Sequence, residues 1–504
     1  MIWQPLLPWL ALAGTALLLM LAIAVRRNAT AAFLVALAGV AASALLTAAA
    51  PDDARLGYLF HFDRFAHFFL VFIALATIAV LLFAKRYLLA TGEQCEEFPL
   101  LVVLAALGAA LLAASAHFVS LFLSLELLSV SLYGLVAYLR RRLCCVEAGF
   151  KYLVLAGGSS AFLLFGMALV YARLGTLAFD RLFLIAPLQQ GPGFGEPDVI
   201  AIAGFGLMLV GFGFKLGVVP FHMWTPDVYQ GAPAPVSGFI AAVSKGAVVA
   251  LLLRFGAALE LSPDDLLWQI LGLIAAASMV VGNLLALHQT NVKRLLAYSS
   301  IAHLGYLLVA FLAGQAAGMD AVVFYMIAYG ATILAAFGVV GAMSEGSARA
   351  GDAEEIDDYR GLARRRPWLS AAFTLAMLSL AGIPLTVGFI AKFLVIGAGI
   401  GAAAWALVIF LAVNSGIGIY YYLRVVVALY LRTEESPTRE TVADEEGRQT
   451  LEAASRHASP PPARISLPAV VALVVLCAAM FVLGVFPQLV LRLIALPSGS
   501  VPGS

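Results

Sequence analysis

The chain has 504 residues, 63% hydrophobic and 12% charged, with a net charge of +1 and a mean hydropathy of +0.99. Soluble domains run at about 45–50% apolar and about 25% charged residues, so this composition leaves too little polar surface for a soluble protein. The near-zero net charge carries no message about nucleic acid or an acidic substrate; where the positive charges lie is more informative.

A helix rises about 1.5 Å per residue, so crossing a hydrocarbon core about 30 Å thick takes about 20 apolar residues. On that ruler the chain is an all-α polytopic membrane protein of about fourteen transmembrane helices. The stretches are 5–25, 30–49, 65–84, 98–115, 117–139, 151–172, 197–219, 234–258, 266–287, 297–314, 319–343, 368–397, 401–430 and 466–492. The opening Met1-Ile-Trp-Gln-Pro-Leu-Leu has no basic n-region and no small-residue cleavage site, which predicts a first span rather than a signal peptide.

Basic residues set the expected orientation. Arg26 and Arg27, Lys85 and Arg86, Arg140 to Arg142, Lys293 and Arg294, Arg349 with Arg360 and Arg364 to Arg366, and five arginines from Arg432 to Arg464 all follow odd-numbered spans. Loops after even-numbered spans hold little beyond Arg55, Arg173 and Arg181. By the positive-inside rule the odd-numbered loops face the cytoplasm and both termini face the periplasm.

The expected organisation is 1–97 for helices 1–3, 98–258 for helices 4–8, 266–430 for helices 9–13 and 466–504 for the last helix. Residues 431–465, rich in charge, Ser and Pro, read as a flexible cytoplasmic loop. Ala148-x3-Tyr152-x4-Gly157 recurs as Ala321-x3-Tyr325-x4-Gly330 at a constant offset. Five spans per unit would invert the second copy, the plan of many transporters; chance recurrence in Ala/Gly-rich helices is the competing reading.

Glu126, Lys215, Lys245 and Lys392 fall inside spans 5, 7, 8 and 12. Each costs about 2.5–3.5 kcal/mol at a helix centre, so four cost roughly 10–14 kcal/mol, against a typical folding stability of about 5–15 kcal/mol. Such charges mark proton relays. The bland alternatives are lysines that snorkel, Lys215 most easily, or a static Glu–Lys brace. Desolvation brings a lysine toward neutral titration and a nearby carboxylate raises it again, so a Glu–Lys pair of variable separation is a two-position proton switch.

Span 7 ends in Gly217-Val-Val-Pro220 and span 12 contains Gly382-Ile-Pro384, which predicts two broken helices with freed carbonyls beside the lysines. Ser244 and Gly246 flank Lys245 and would admit water. His303, in span 10 after Tyr298-Ser299-Ser300, suits a proton carrier, and equally a satisfied buried histidine. His222 is expected to order the loop after span 7, and Arg254 to snorkel from the outer end of span 8. The cysteines, Cys95, Cys144, Cys145 and Cys477, include no CxxC and no ligand-spaced set, so no redox centre, cofactor or metal is expected in this chain.

The run Gly211-Phe-Gly-Phe-Lys215-Leu-Gly-Val-Val-Pro220-Phe-His222-Met-Trp224-Thr-Pro226-Asp227-Val-Tyr229-Gln-Gly231-Ala-Pro233-Ala-Pro235-Val, followed by Lys245, resembles the signature of the antiporter-like membrane subunits of respiratory complex I. Within that family, Leu123-Ser-Leu-Glu126-Leu-Leu-Ser129-Val-Ser-Leu-Tyr133 and the lysine at 392 are most similar to the N branch. The chain is too short for the lateral helix of the L branch, and the M branch carries glutamate at the place of Lys392. The resemblance implies Glu126 and Lys215 as an input pair, Lys245 as central relay, Lys392 as exit-side site, and His303 as a link between half-channels. It also implies a bacterial inner-membrane location. Expected partners are a neighbouring antiporter-like subunit and small membrane subunits, with NADH, FMN, iron–sulfur clusters and quinone held by other subunits. The alternatives are a subunit of a multisubunit cation/proton antiporter or membrane-bound hydrogenase, a bracing membrane subunit, and a redox enzyme in its own right.

Overall fold

The computed structural model describes residues 4–51, 53–179, 199–256, 263, 265–344, 351–431 and 466–498. The loop expected over 431–465 lies outside them, Leu431 apart, as do Arg181 and Arg349. Among the described residues the chain is helical except for one small hairpin. In chain order the helices are α1 (Leu7–Val25), α2 (Ala29–Leu46), α3 (Arg64–Thr91), α4 (Glu97–Ala113), α5 (Phe118–Val136), α6 (Leu143–Leu174) and α7 (Val199–Leu216). Then come α8 (Trp224–Gly231), α9 (Ala234–Phe239), α10 (Lys245–Gly256), α11 (Leu266–Leu287), α12 (Val292–Leu312) and α13 (Gln315–Ser344). The chain closes with α14 (Leu362–Arg365), α15 (Pro367–Ala381), α16 (Val387–Gly401), α17 (Trp405–Tyr430), α18 (Leu467–Val485) and α19 (Gln488–Ser498).

Twelve described helices are long and apolar enough to cross a membrane. Together with the shorter α4 and the divided pair α15–α16, they match the fourteen stretches of the sequence one for one. The chain is a multi-pass membrane protein. Side chains sort it into an inner and an outer set. In the span Ala234–Gly256, 94% of the apolar window is buried, against 89% in α12 and α13, 33% in α1 and 28% in α18. A helix apolar on every side is at home in lipid or in a protein core. Polar residues are therefore affordable only on the inner helices, where other helices can partner them.

The breaks fall where Gly and Pro placed them. Span 7 stops at Leu216, Gly217 takes φ +73°, and the chain turns through Pro220 into α8. Span 12 stops at Gly382 with φ +81° and restarts at Val387. Two departures concern the same theme. Span 8 is interrupted as well, by a π-helical turn at Ile240–Ser244 that ends at Lys245; π-turns of this kind cluster at functional sites. The last stretch, read as one span to 492, divides at Phe486-Pro487 into α18 and α19.

The hairpin was not foreseen. β1 (Asp53–Leu56) pairs antiparallel with β2 (Phe60–Asp63), Asp53 opposite Asp63, around Gly57. His61 N donates to Ala114 O at 2.8 Å, which ties β2 to the end of α4. Asp63 then does two jobs: it caps α3 by accepting from Ala66 N at 2.8 Å, and it receives Arg254 through both oxygens at 2.7 and 3.0 Å. Arg254 does not snorkel; it is buried, packed over Phe65 and bonded to Ala113 O. Burial pushes the Asp63 carboxyl up, but the Arg254 guanidinium, with the Ala66 N–H and His61, outweighs it and holds the group below its usual range.

Removing one partner of a buried pair strands the other, at roughly 3–5 kcal/mol, so Asp63→Asn lowers the thermal midpoint in detergent at neutral pH. A depressed folded pKa means that the stabilisation is present above about pH 4 and fades as pH falls below it. The melting curves of variant and wild type therefore converge in acid; equal midpoints at pH 7 contradict the assignment.

Candidate functional site

Five ionisable side chains singled out by the sequence lie on five helices. Lys215 sits in the last turn of α7, where the ammonium Nζ donates to Ser129 Oγ of α5 at 2.7 Å. Ser129 is three residues beyond Glu126 and so shares its helix face. Glu126, half-buried, accepts from Ser160 Oγ of α6 at 2.6 Å. The expected input pair is thus brought to one place, but each charge is held by its own serine rather than by the other.

Lys245 is fully buried just after the π-helical turn, and its Nζ donates to Ser300 Oγ of α12 at 2.6 Å. The Tyr229 ring lies 5.5 Å from the same nitrogen. The span 7 break also meets it: a Cβ on Gly217 would stand 3.7 Å from Nζ. Gly246, expected to admit water, instead serves close packing, since a Cβ there would meet Phe72 at 2.8 Å.

One residue before Ser300, Ser299 shares a short hydrogen bond with the Tyr422 hydroxyl of α17. Tyr422 is 3.0 Å from His303 Nε2, and His303 Nδ1 is 2.6 Å from the Tyr325 hydroxyl of α13. His303 is therefore a buried histidine satisfied at both nitrogens, with Tyr306, Tyr325, Tyr329 and Tyr422 around its ring. Serine and tyrosine hydroxyls both donate and accept. The row Ser299–Tyr422–His303–Tyr325 is a chain through which hydrogen bonds can reverse.

Lys392, on α16, reaches back across the span 12 break. Its Nζ donates to Leu380 O at 3.0 Å, Ala381 O at 2.9 Å and Ser415 Oγ of α17 at 2.9 Å. Those carbonyls end α15, where the helix dipole is negative. A Cβ on Gly382 would stand 2.9 Å from Lys392 Cδ. The Tyr306 ring lies 5.4 Å from Nζ. Behind it, Asn283 Nδ2 donates to Tyr306 OH and Tyr421 OH donates to Asn283 Oδ1, each at 2.9 Å.

All three lysines are buried among the helices. Sequence reading missed the hydroxyl partners. Ser129 carried a signal in its helical spacing from Glu126, and Ser299-Ser300 in their adjacency; Ser160, Ser415 and Tyr422 carried none, because isolated hydroxyls are common in spans. His222 is buried, with Nδ1 lacking a protein partner, and desolvation lowers its pKa. No group of three or more His, Cys, Asp or Glu is placed to hold a metal among the described residues.

Residues 115–418, which include every lysine above together with Glu126 and His303, match the NADH:quinone oxidoreductase/Mrp antiporter transmembrane family (Proton_antipo_M). A chain of respiratory complex I from Thermus thermophilus, solved with aureothin bound, is 33% identical, with 97% of this chain and 99% of that one covered and a TM-score of 0.76. Two further structures share the fold. A chain of the membrane-bound sulfane sulfur reductase, an archaeal respiratory membrane complex, is 23% identical over 99% of this chain and 97% of its own, at a TM-score of 0.83. A chain of the Mrp complex from Dietzia sp. DQ12-45-1b is 22% identical over 99% and 98%, at 0.80. Signature run, broken helices and profile agree: this chain belongs to the NADH:quinone oxidoreductase/Mrp antiporter family of membrane subunits.

Proposed function

We propose that this chain is a proton-translocating membrane-arm subunit of a bacterial NADH–quinone oxidoreductase, of the N branch. The observation that carries the reading is that each of these three buried amines is handed a hydroxyl from a neighbouring helix: Lys215 to Ser129, Lys245 to Ser300 and Lys392 to Ser415. A static brace would pair amines with carboxylates, as Arg254 is paired with Asp63. A hydroxyl partner leaves the amine free to lose a proton without stranding a counter-charge. The identity to the Thermus thermophilus complex I chain supports the choice of complex.

In this reading Glu126 tunes Lys215, because a carboxylate nearby favours the ammonium form. Lys245 takes a proton at Nζ and passes it through Ser300 and the Ser299–Tyr422–His303 row toward Lys392. Lys392 releases it on the far side of the break. Electron transfer from NADH through FMN and iron–sulfur clusters to quinone belongs to partner subunits. The chain sits in the inner membrane with both termini periplasmic, beside another antiporter-like subunit and the small membrane subunits. A second reading, a subunit of a cation/proton antiporter or membrane-bound hydrogenase, draws on the fold shared with the Mrp complex. Co-purification of NADH-oxidising subunits favours the first.

Lys245→Ala and Lys392→Ala should leave the complex assembled on native gels yet cut proton translocation in proteoliposomes about a hundredfold, the scale of a lost proton-transfer group. Normal pumping by both variants would sink the proposal. Gly382→Ala places a side chain against Lys392 at a left-handed φ, a strain of about 1–2 kcal/mol. It should lower the thermal midpoint slightly and the pumping rate strongly; a wild-type rate would show that the seat of Lys392 does not matter.

A further inference from the structure

A second buried charge cluster lies at the opposite end of α12 from Leu312, and the relay above does not use it. Asp352 Oδ1 accepts from the Tyr87 hydroxyl of α3 at 2.6 Å and from Arg142 Nη1, at the start of α6, at 3.0 Å. Asp352 Oδ2 accepts from Lys293 Nζ of α12 at 2.8 Å. The side chains of Lys293 and Asp352 are each 1% exposed. The segment is pinned to α12 by Val292 N donating to Glu354 O at 2.6 Å and Ile356 N donating to Thr290 O at 2.9 Å. Burial pushes the Asp352 carboxyl up, but Lys293, Tyr87 and Arg142 outweigh it and hold its pKa below the ordinary value, so it stays charged at neutral pH.

Lys293 also connects inward. Its Nζ donates to Ala232 O at 2.7 Å, immediately beyond α8. Three residues earlier on α8, Tyr229 lays its ring beside Lys245. Near Lys245 the Tyr229 and Tyr329 hydroxyls, both facing Ser300, and Thr225 Oγ1, beside Gly217, are buried without a well-formed protein hydrogen bond. Buried polar atoms of this kind are satisfied by ordered water. On α12, Lys293 and Ser300 are seven residues apart, so they share one stripe about 10 Å long. Glu354 Oε1, 3.6 Å from Lys293 Nζ and partly exposed, offers a second seat at the mouth.

We propose that Lys293 and Asp352 are the gate of a proton inlet running from the arginine-rich face of the protein past Tyr229 to Lys245. This inference rests on the pumping reading given above. With Lys293 on Ala232 O and Asp352 the inlet is shut; when the ammonium swings to Glu354, water reaches the orphaned hydroxyls. A hydrated proton entering along that water gives its proton to the neutral amine of Lys245, leaving water behind and giving the ammonium, while Lys293 and Asp352 keep their own protonation. They are positioning residues, and the relay proper begins at Lys245.

The test uses the intact complex in proteoliposomes, with Asp352→Asn, the apolar pair Lys293→Met/Asp352→Leu, and Lys245→Ala as reference. The gate predicts that both Asp352 variants assemble and transfer electrons. They should pump fewer protons per electron and show a several-fold higher passive proton leak when not turning over. Unchanged stoichiometry and leak overturn the gate, as does failure of both to assemble, which makes the cluster a structural clasp. Normal pumping by Lys245→Ala instead refutes the relay itself, so the two failures are distinguishable.

Discussion

An ammonium at membrane depth has three N–H donors and no bulk water to receive them, and that constraint organises the interior of this protein. Lys392 shows the consequence most fully. Its three hydrogen bonds go to two carbonyls released by the break in span 12 and to one serine. The break that Gly382 and Pro384 impose and the charge that Lys392 carries would each be costly alone. Together they satisfy one another, which is why the broken helix and the buried lysine occur at the same place.

The same logic sorts the other charges into two kinds. Arg254 and Lys293 are bonded to carboxylates, Asp63 and Asp352, and lie near opposite ends of the inner helices α10 and α12. Lys215, Lys245 and Lys392 are bonded to serine hydroxyls. A buried ion pair holds position because losing one member exposes the other to the full desolvation penalty. A lysine on a hydroxyl carries no such lock. The molecule thus has carboxylate-paired charges near the ends of its inner helices and hydroxyl-bonded lysines elsewhere among them.

A fold shared by chains from a complex I, a sulfane sulfur reductase and an Mrp complex is a scaffold for this arrangement rather than a statement of one activity. What the scaffold supplies is two interrupted spans, 7 and 12, whose ends meet Lys245 and Lys392. The third interruption, the π-helical turn before Lys245, falls in the most buried of the described spans.

The sequence by itself determined the membrane class, the fourteen spans, the two broken helices and the three buried lysines Lys215, Lys245 and Lys392. Each of these follows from local chemistry: apolar length, the missing N–H of proline, and the cost of an ion in lipid. It did not disclose the hairpin, the Arg254–Asp63 pair or the partner of any lysine. Ser129, Ser300 and Ser415 lie 86, 55 and 23 residues from the lysines they receive, and a lone serine in a span has the same sequence context whether it faces lipid, a helix or an ammonium. Which acceptor meets which donor was decided only by how the inner helices pack, because hydrogen bonds between spans depend on their relative rotation and depth, and no local pattern encodes either.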